Sequence, residues 1–489
     1  MIWVIHKPGV TAMNRIIVWF RQDLRLSDNP ALFEAARTGA EIIPLYILDD
    51  LTPGIWKPGG ASKRWLYFSL QSLSEDLSSL GLSLILRKGD PLDILKEVVK
   101  ETKSSGIYWN RRYEPFHIEK DVAVNREFSK IGIECKNFKA SLLLEPHEVS
   151  PKSGGYFKVF TPFWNSCLKS IETEKDLPVP SLIPYKKTIA SEDLSDWKLF
   201  PRPDWGAEFD KNWTPGEKHA KKRLQTFSEK CIEEYPYHRD FPYESGTSLL
   251  SPHLHFGEIS PRQIWNAVQK ILASHPGPEK KQACEKYLSE IGWREFAHHL
   301  LYRIPGLPTK PFKQNFEAFP WSDNKDFLVL WQKGKTGYPI VDAGMRQLWR
   351  IGWMHNRVRM IVASFLTKHL LIHWIEGEKW FYDTLVDADL ANNAAGWQWV
   401  AGCGADAAPY FRIFNPILQS AKFDPEGKYI KKWVPELANL PTKYIHNPAE
   451  APEEELRKAG VVLGVTYPFP LVDLAEGRKK ALELYSALN

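Results

Sequence analysis

The sequence predicts two folded units of different class: an α/β domain with a doubly wound parallel sheet over 14–145, and an all-α domain over 216–489, joined by a proline-rich connection over 146–215. Three observations carry this. Short apolar runs alternate with helical periods up to residue 138, prolines then interrupt every pattern, and beyond 216 the chain reads almost entirely as helix.

In the first unit IIVWF (16–20) reads as a strand, a helix follows near Pro30–Arg37, and EIIPLYIL (41–48) is the second strand. The amphipathic helix SKRWLYFSLQSLSEDLSSL stops at Gly81, a residue suited to ending helices. LSLILR, a helix over Pro91–Lys103, the strand GIYWN (106–110) and a last helix with a short closing strand complete a βαβ rhythm. That rhythm calls for a parallel sheet covered on both faces. Arg21, Gln22 and Asp23 follow the first strand where a GxGxxG turn would stand, which disfavours a nicotinamide dinucleotide; the crevice at the strand ends stays open to another ligand.

Pro146, Pro151, Pro178, Pro180, Pro184, Pro201 and Pro203 break any long element in the connection, which is expected to wrap between the units. In the second unit Ser251-Pro252 and Ser260-Pro261 each read as a helix cap followed by proline, and Gln263 completes a capping box for the second. Two long helices are expected, over Gln282–Tyr302 and Trp353–Trp374. The first twelve residues are too short and too broken for a secretory signal, and the strand pattern starts just behind Met13, the expected start of the natural chain.

Composition bounds the function. At 489 residues the chain exceeds one core, and 43% hydrophobic with 25% charged residues is an ordinary globular balance. No apolar run approaches the ~18 residues of a membrane span. A formal charge of +5 is too small to argue nucleic-acid binding by itself, although a local basic groove fits within it. Cys135, Cys167, Cys231, Cys284 and Cys403 form no CxxC pair, so neither a metal set nor a disulfide framework is expected, and a reducing compartment fits. Twenty tryptophans are an excess, clustered in the C-terminal half.

Four constellations could carry chemistry. Thr247-Ser248-Leu249-Leu250-Ser251 offers hydroxyls and backbone N–H groups to an anion, or is an ordinary helix cap. In KYLSEIGWREFAHHL, Tyr287, Glu290 and Arg294 share one helical face with Trp293 beside them; a surface Glu–Arg pair is the plain alternative. Asn356 and Met360 are four apart, with small Ala363 and Ser364 next, leaving room for a flat ligand or simply marking a buried helix. Asp387-x-Asp389 leads into Asn392, Asn393, Trp397 and Trp399, and lacks the glycine and closing glutamate of a calcium loop. Each alone is ambiguous.

Together, WFRQDLRLSDNPAL, GTSLLSPHLHFGEIS, SEIGWREF, KTGYPIVDAGMRQLWRIGWMHNRVRM, DADLANNAAGWQW and YFRIFNP resemble the photolyase/cryptochrome family in order and spacing, from about Arg15 to near the C-terminus. The likeness is greatest to bacterial enzymes acting on cyclobutane pyrimidine dimers. It implies an all-α FAD-binding domain and light-driven repair, in which photoexcited reduced FAD gives an electron to a dimer flipped out of the duplex. By resemblance Tyr235, Thr247, Ser248 and Ser251 hold the phosphates, and Leu249 and Leu250 also touch the cofactor. Tyr287, Arg294, Arg359, Asp387 and Asp389 surround the remainder, with Arg359 paired to Asp387, and Asn393 faces the reactive nitrogen of the central ring. Plant cryptochromes carry aspartate there, so Asn393 leans towards repair.

The same resemblance makes Trp293 and Trp399 the walls that stack on the lesion, with Glu290 and Asn356 hydrogen-bonding the base edge, Met360 beside them, and Arg239, Arg357 and Gln419 contacting DNA. Glu290, Asn356 and Asn393 are the catalytic candidates. Asn356 and Met360 speak against the (6-4) photoproduct, whose enzymes carry two histidines where only His355 appears. Trp397, Trp374 and Trp321 match a three-step chain that photoreduces the flavin. Tyr287 stands where several relatives have tryptophan, and Ala394 where they have asparagine.

An antenna chromophore, 5,10-methenyltetrahydrofolate or 8-hydroxy-5-deazaflavin, is implied in the N-terminal crevice near Trp109-Asn110-Arg111-Arg112-Tyr113-Glu114. The implied partner is dimer-containing DNA, with no metal, no membrane, no obligate protein partner and a monomeric state. The implied location is a bacterial cytoplasm, on the nucleoid during repair. The alternative is a cryptochrome photoreceptor without repair activity; the chain ends soon after the helical domain, without the long tail of many signalling members. A non-catalytic flavoprotein binding single-stranded DNA has only the modest positive charge in its favour.

Overall fold

Strand β1 (Arg15–Phe20) lies mid-sheet, and its side chains feed two cores. Ile16, Val18 and Phe20 pack with helices α1 (Pro30–Arg37) and α2 (Gly60–Ser79) on one face. Ile17 and Trp19 pack with α3 (Pro91–Thr102) and α4 (Pro115–Ser129) on the other. With β2 (Glu41–Leu48), β3 (Ile85–Lys88), β4 (Gly106–Asn110) and β5 (Glu134–Phe138), the sheet runs β3-β2-β1-β4-β5, every pair parallel. Burial on both faces explains why these strands read as unbroken apolar runs. The order reverses between β1 and β4, so the crevice opens at Phe20 and Asn110. The computed structural model describes residues 14–488 apart from 173, 408 and 411, so the expected start at Met13 lies outside the described residues.

The 146–215 connection is more structured than its prolines suggest. It carries α5 (Phe160–Ser170), and Ile183–Pro184 (β6) pairs in parallel with Glu41 and Ile42 of β2. Helix α5 forms because Phe163, Trp164 and Cys167 fall on one buried face.

The helical unit comprises α6 (Glu217–Lys230), α7 (Tyr235–His238), α8 (Ser251–His255), α9 (Pro261–Ala273), α10 (Pro278–Arg303), α11 (Lys325–Gln332), α12 (Pro339–Ile351), α13 (Asn356–Ser364), α14 (Trp374–Thr384), α15 (Leu390–Ala401), α16 (Pro416–Phe423) and further helices up to Ser486. Trp164 of α5 lies where any Cβ on Gly292 of α10 would come within 2.6 Å, so glycine sets that contact.

Two expectations are corrected. Ser251 is the first helical residue of α8 and caps nothing; Leu250 precedes it without a side-chain bond, whereas Ser260 and Gln263 form the full capping box. The single helix expected over Trp353–Trp374 is divided. His355 caps α13, a π-helical stretch Phe365–His369 follows, and Leu371 turns left-handed (φ 56°). His373 then caps α14 by accepting from Ile375 N. A cap by histidine and a left-handed leucine leave no mark in apolar periodicity.

The units are tied through residues 21–29. The buried Arg25 guanidinium donates to the carbonyls of Gly257 (2.8 Å), Asp28 (2.7 Å) and Ala140 (3.1 Å). Asp28 in turn accepts from Leu177 N, Ser260 Oγ and Arg262 Nε, while Glu217 accepts from Leu26 N at 2.6 Å. Arg25→Leu is expected to strand three buried carbonyls at about 1–3 kcal/mol each. A lower denaturant midpoint in equilibrium unfolding checks this; an unchanged midpoint would count against it.

Candidate functional site

Helices α10, α13, α14 and α15 enclose a cavity of about 620 Å³. It exists because the facing positions are small: Ala297 on α10, Ala363 on α13, and Ala395 and Gly396 on α15. A Cβ built at Gly396 meets nothing within 4 Å. Ser364, expected on this face, instead accepts from Phe414 N at 3.3 Å and does not line the cavity.

One end carries hydroxyls. Thr247, Ser248 and Ser251 line it with Leu249 and Leu250, beside Tyr235 and Tyr287, whose rings meet edge-on at 5.3 Å. Leu249 is held left-handed (φ 52°), a conformation that costs leucine on the order of 1–3 kcal/mol and that the surrounding packing must impose.

The other end is charged. Arg359 grips Asp387 through Nη2 at 2.8 and 3.0 Å and donates from Nε to the Met354 carbonyl, so this buried carboxylate has a well-formed partner. Asp389 caps α15 by accepting from Asn392 N at 2.8 Å and lies 3.3 Å from His298 Nε2. Burial alone would raise the Asp389 carboxyl, but His298, Arg294 and His255 outweigh it and hold the carboxyl well below the ordinary range. Arg294 lines the cavity and donates to the Ser141 carbonyl at 2.6 Å.

At the mouth stand Glu290, Trp293, Asn356, Met360 and Trp399, with Arg239 and Arg357 at the rim. The Glu290 carboxylate is engaged by Arg239 Nη1, and Arg357 by Asp240 at 2.8 Å. Gln419 lies on α16, outside the lining. Phe160 of α5 stacks flat on Trp293, centroids 3.8 Å apart at 7°. Sequence reasoning missed Phe160 because it sits in the proline-rich stretch, where no periodicity points to it.

Asn393 lines the cavity and donates from Nδ2 to the Glu378 carbonyl at 2.9 Å, which fixes the amide's direction. Glu378 was also missed. Its side chain is fully buried, both carboxyl oxygens lack a partner among the described residues, and burial pushes its pKa well up, favouring the protonated form. A lone glutamate on an amphipathic helix gives no signal of this.

The three tryptophans differ in place. Trp397 lines the cavity, where its ring packs on Phe381 and on Gly377 of α14; a Cβ at Gly377 would lie 2.1 Å from that ring. Trp374 is wholly buried one turn before Gly377, and His373 lies between it and half-buried Trp321, with ring distances of 5.4 and 5.1 Å. The buried indole N–H groups of all three lack partners among the described residues.

The crevice of the sheet abuts this cavity. Its stretch Trp109–Glu114 is wired inward: Trp109 to Asp121 at 2.9 Å, Arg111 and Tyr113 to Glu145 at 2.7 and 2.9 Å, and Arg112 to Glu114. His255, Arg294 and Asp389 border both spaces. Among the described residues no cluster of His, Cys, Asp or Glu suits a metal, and no helix is long and apolar enough to cross a membrane.

Comparison with known proteins gives one family. A model described as DNA photolyase matches residues 16–181, and one described as the FAD binding domain of DNA photolyase matches 287–487. The chain is 50% identical over 476 residues to the deoxyribodipyrimidine photo-lyase of Agrobacterium fabrum, covering 97% of this chain and 98% of that one. It is 39% identical to cryptochrome-1 of Arabidopsis thaliana, across 96% of this chain and 70% of that one. The solved structure of a bacterial class III photolyase from Agrobacterium tumefaciens superposes with a TM-score of 0.94 at 48% identity, covering 98% of this chain and 99% of that one.

Beneath the site Glu295 accepts from Leu143 N and Leu144 N, and burial raises its pKa to about 7. A carboxyl raised in the fold contributes stability fully below its unfolded value near 4.5, and loses it as pH rises to about 7. Glu295→Gln is therefore expected to flatten the pH dependence of the unfolding midpoint in that window. An unchanged slope from thermal melts would contradict it.

Proposed function

The chain belongs to the photolyase/cryptochrome family, and we propose that it is a light-driven lyase splitting cyclobutane pyrimidine dimers in DNA, with FAD held in the helical cavity. The donor set fits that cofactor. Hydroxyls at 247–251 suit phosphates, the Arg359–Asp387 pair and Asn393 suit the polar edge of a ring system, and the open space at Gly396 admits a flat group. Tyr235, Thr247, Ser248 and Ser251 would hold the phosphates, with Leu249 and Leu250 against the cofactor; Tyr287, Arg294, Arg359, Asp387 and Asp389 would hold the remainder, with Asn393 at the central ring. When bound and reduced, FAD supplies an electron on absorbing light.

One observation carries the substrate. Glu290, Trp293, Asn356, Met360 and Trp399 converge on the same cavity as Arg359, Asp387 and Asn393. Trp293 and Trp399 would clamp a flipped dimer, stacking being worth about 1–3 kcal/mol per base. Glu290 and Asn356 would hydrogen-bond the base edge and hold it while negative charge develops there, with the cations Arg239 and Lys286 alongside. A single electron entering the dimer lets both cyclobutane bonds break, and it leaves again, so repair consumes no reductant. Trp397, Trp374 and Trp321 serve to carry electrons inward from the surface.

An antenna chromophore, methenyltetrahydrofolate or a deazaflavin, belongs on this reading to the crevice side of the sheet. There Asp49 Oδ2 and Thr52 Oγ1 are buried beyond the end of β2 without partners among the described residues. The cryptochrome reading is supported by likeness to several plant cryptochromes, at 36–39% identity.

Illuminating the reduced, FAD-loaded protein with a thymine-dimer oligonucleotide should restore undamaged thymines; persistence of dimers in blue light would leave the photoreceptor reading. Glu290→Ala should lower repair yield without expelling FAD, and loss of flavin would move Glu290 to the cofactor site. Trp374→Phe should block photoreduction yet spare repair by protein reduced beforehand, as absorbance and product analysis would report.

A further inference from the structure

Charged side chains from three elements form an alternating row across the mouth of the cavity. Lys286 Nζ lies 3.5 Å from Glu290 Oε1 on α10, and Arg239 Nη1 bonds the same oxygen. Arg239 Nε is 3.9 Å from Asp240 Oδ1, and Asp240 Oδ1 accepts from Arg357 Nη2 of α13 at 2.8 Å. Arg357 is further fixed over the Phe423 ring at 4.5 Å, and Arg239 over Tyr235 at 5.1 Å.

This row poses a steric and electrostatic problem for the reaction proposed above. Glu290 has to offer its carboxylate to a base edge, yet Arg239 and Lys286 both hold it through Oε1. Freeing Glu290 leaves a mostly buried guanidinium (15% exposed) without its anion, which is costly unless another takes its place. Among the described residues Asp240 is the other carboxylate already within 4 Å, and it is 35% exposed.

Resting on the repair reading, we infer that Asp240 is a positioning residue of the lesion pocket. It anchors Arg357 on one wall and receives Arg239 when Glu290 passes from Arg239 to the flipped base. Selectivity for the lesion then depends on an acid that touches neither cofactor nor base. The sign of the effect is distinctive. An acid that merely faced DNA would repel phosphates, so removing its charge would tighten binding to all duplexes alike. A partner-exchange acid does the opposite for the lesion alone.

The test is equilibrium binding, in the dark and at fixed salt, of FAD-loaded full-length protein to a fluorescein-labelled duplex with one thymine dimer and to the same duplex undamaged. Asp240→Asn is expected to lower the ratio of the two affinities about ten-fold, roughly 1.4 kcal/mol, with undamaged binding unchanged or tighter. Asp240→Glu, which keeps the charge, is expected to restore the ratio. An unchanged ratio in Asp240→Asn overturns the inference, as does loss of the ratio in Asp240→Glu with flavin absorbance and unfolding midpoint intact. If the unsubstituted protein shows no preference for the dimer, the repair reading itself falls and the inference with it; an intact preference insensitive to Asp240→Asn overturns the inference alone.

Discussion

A guanidinium with almost no access to water holds the two units in one arrangement. Arg25 has no neutral form to retreat to, so once buried it must find acceptors, and it finds them on three separate segments. Carbonyls at 28, 140 and 257 belong to the sheet unit, its exit and the helical unit respectively. A hydrophobic contact would tolerate sliding; this one fixes direction as well as distance. The consequence reaches the cavity, because His255 and Arg294, which border it, also face the strand ends of the other unit.

Within the cavity, water exclusion sorts the ionisable groups into two kinds. Asp387 and Asp389 have cationic or N–H partners, and those of Asp389 hold its carboxyl well below the ordinary range, whereas the Glu378 carboxyl, without a hydrogen-bond partner among the described residues, is pushed well up by burial. Burial also lowers His255 and His355 to about 4, so these rings are uncharged at neutral pH. The result is a site with hydroxyls at one end, paired charges at the other end and at the mouth, and small side chains between.

Much of this was legible in the sequence, and the boundary of what was legible is physical. Apolar runs marked the strands, since burial on both faces leaves them unbroken, and the long helix expected over Gln282–Tyr302 lies within α10. The residues at the cavity were reached through combined motifs, and spacing alone left each one ambiguous. Periodicity failed where side chains acted on the backbone individually, as with the caps at His355 and His373 and the left-handed Leu371. It also failed for residues that matter through distant partners. Phe160, Asp240 and Glu378 acquire their roles from contacts 133, 117 and 15 residues away, which no local pattern encodes.

The stacking of Phe160 on Trp293 bears on modularity. A stretch that reads as a tether between two domains supplies the backing of one wall of the other domain's pocket. The helical unit is therefore not a portable cassette. Grafted onto another sheet domain without α5, it would keep its helices and its charged cavity, but one aromatic wall would lose the stacked ring behind it. The joint between the two units is itself part of the instrument.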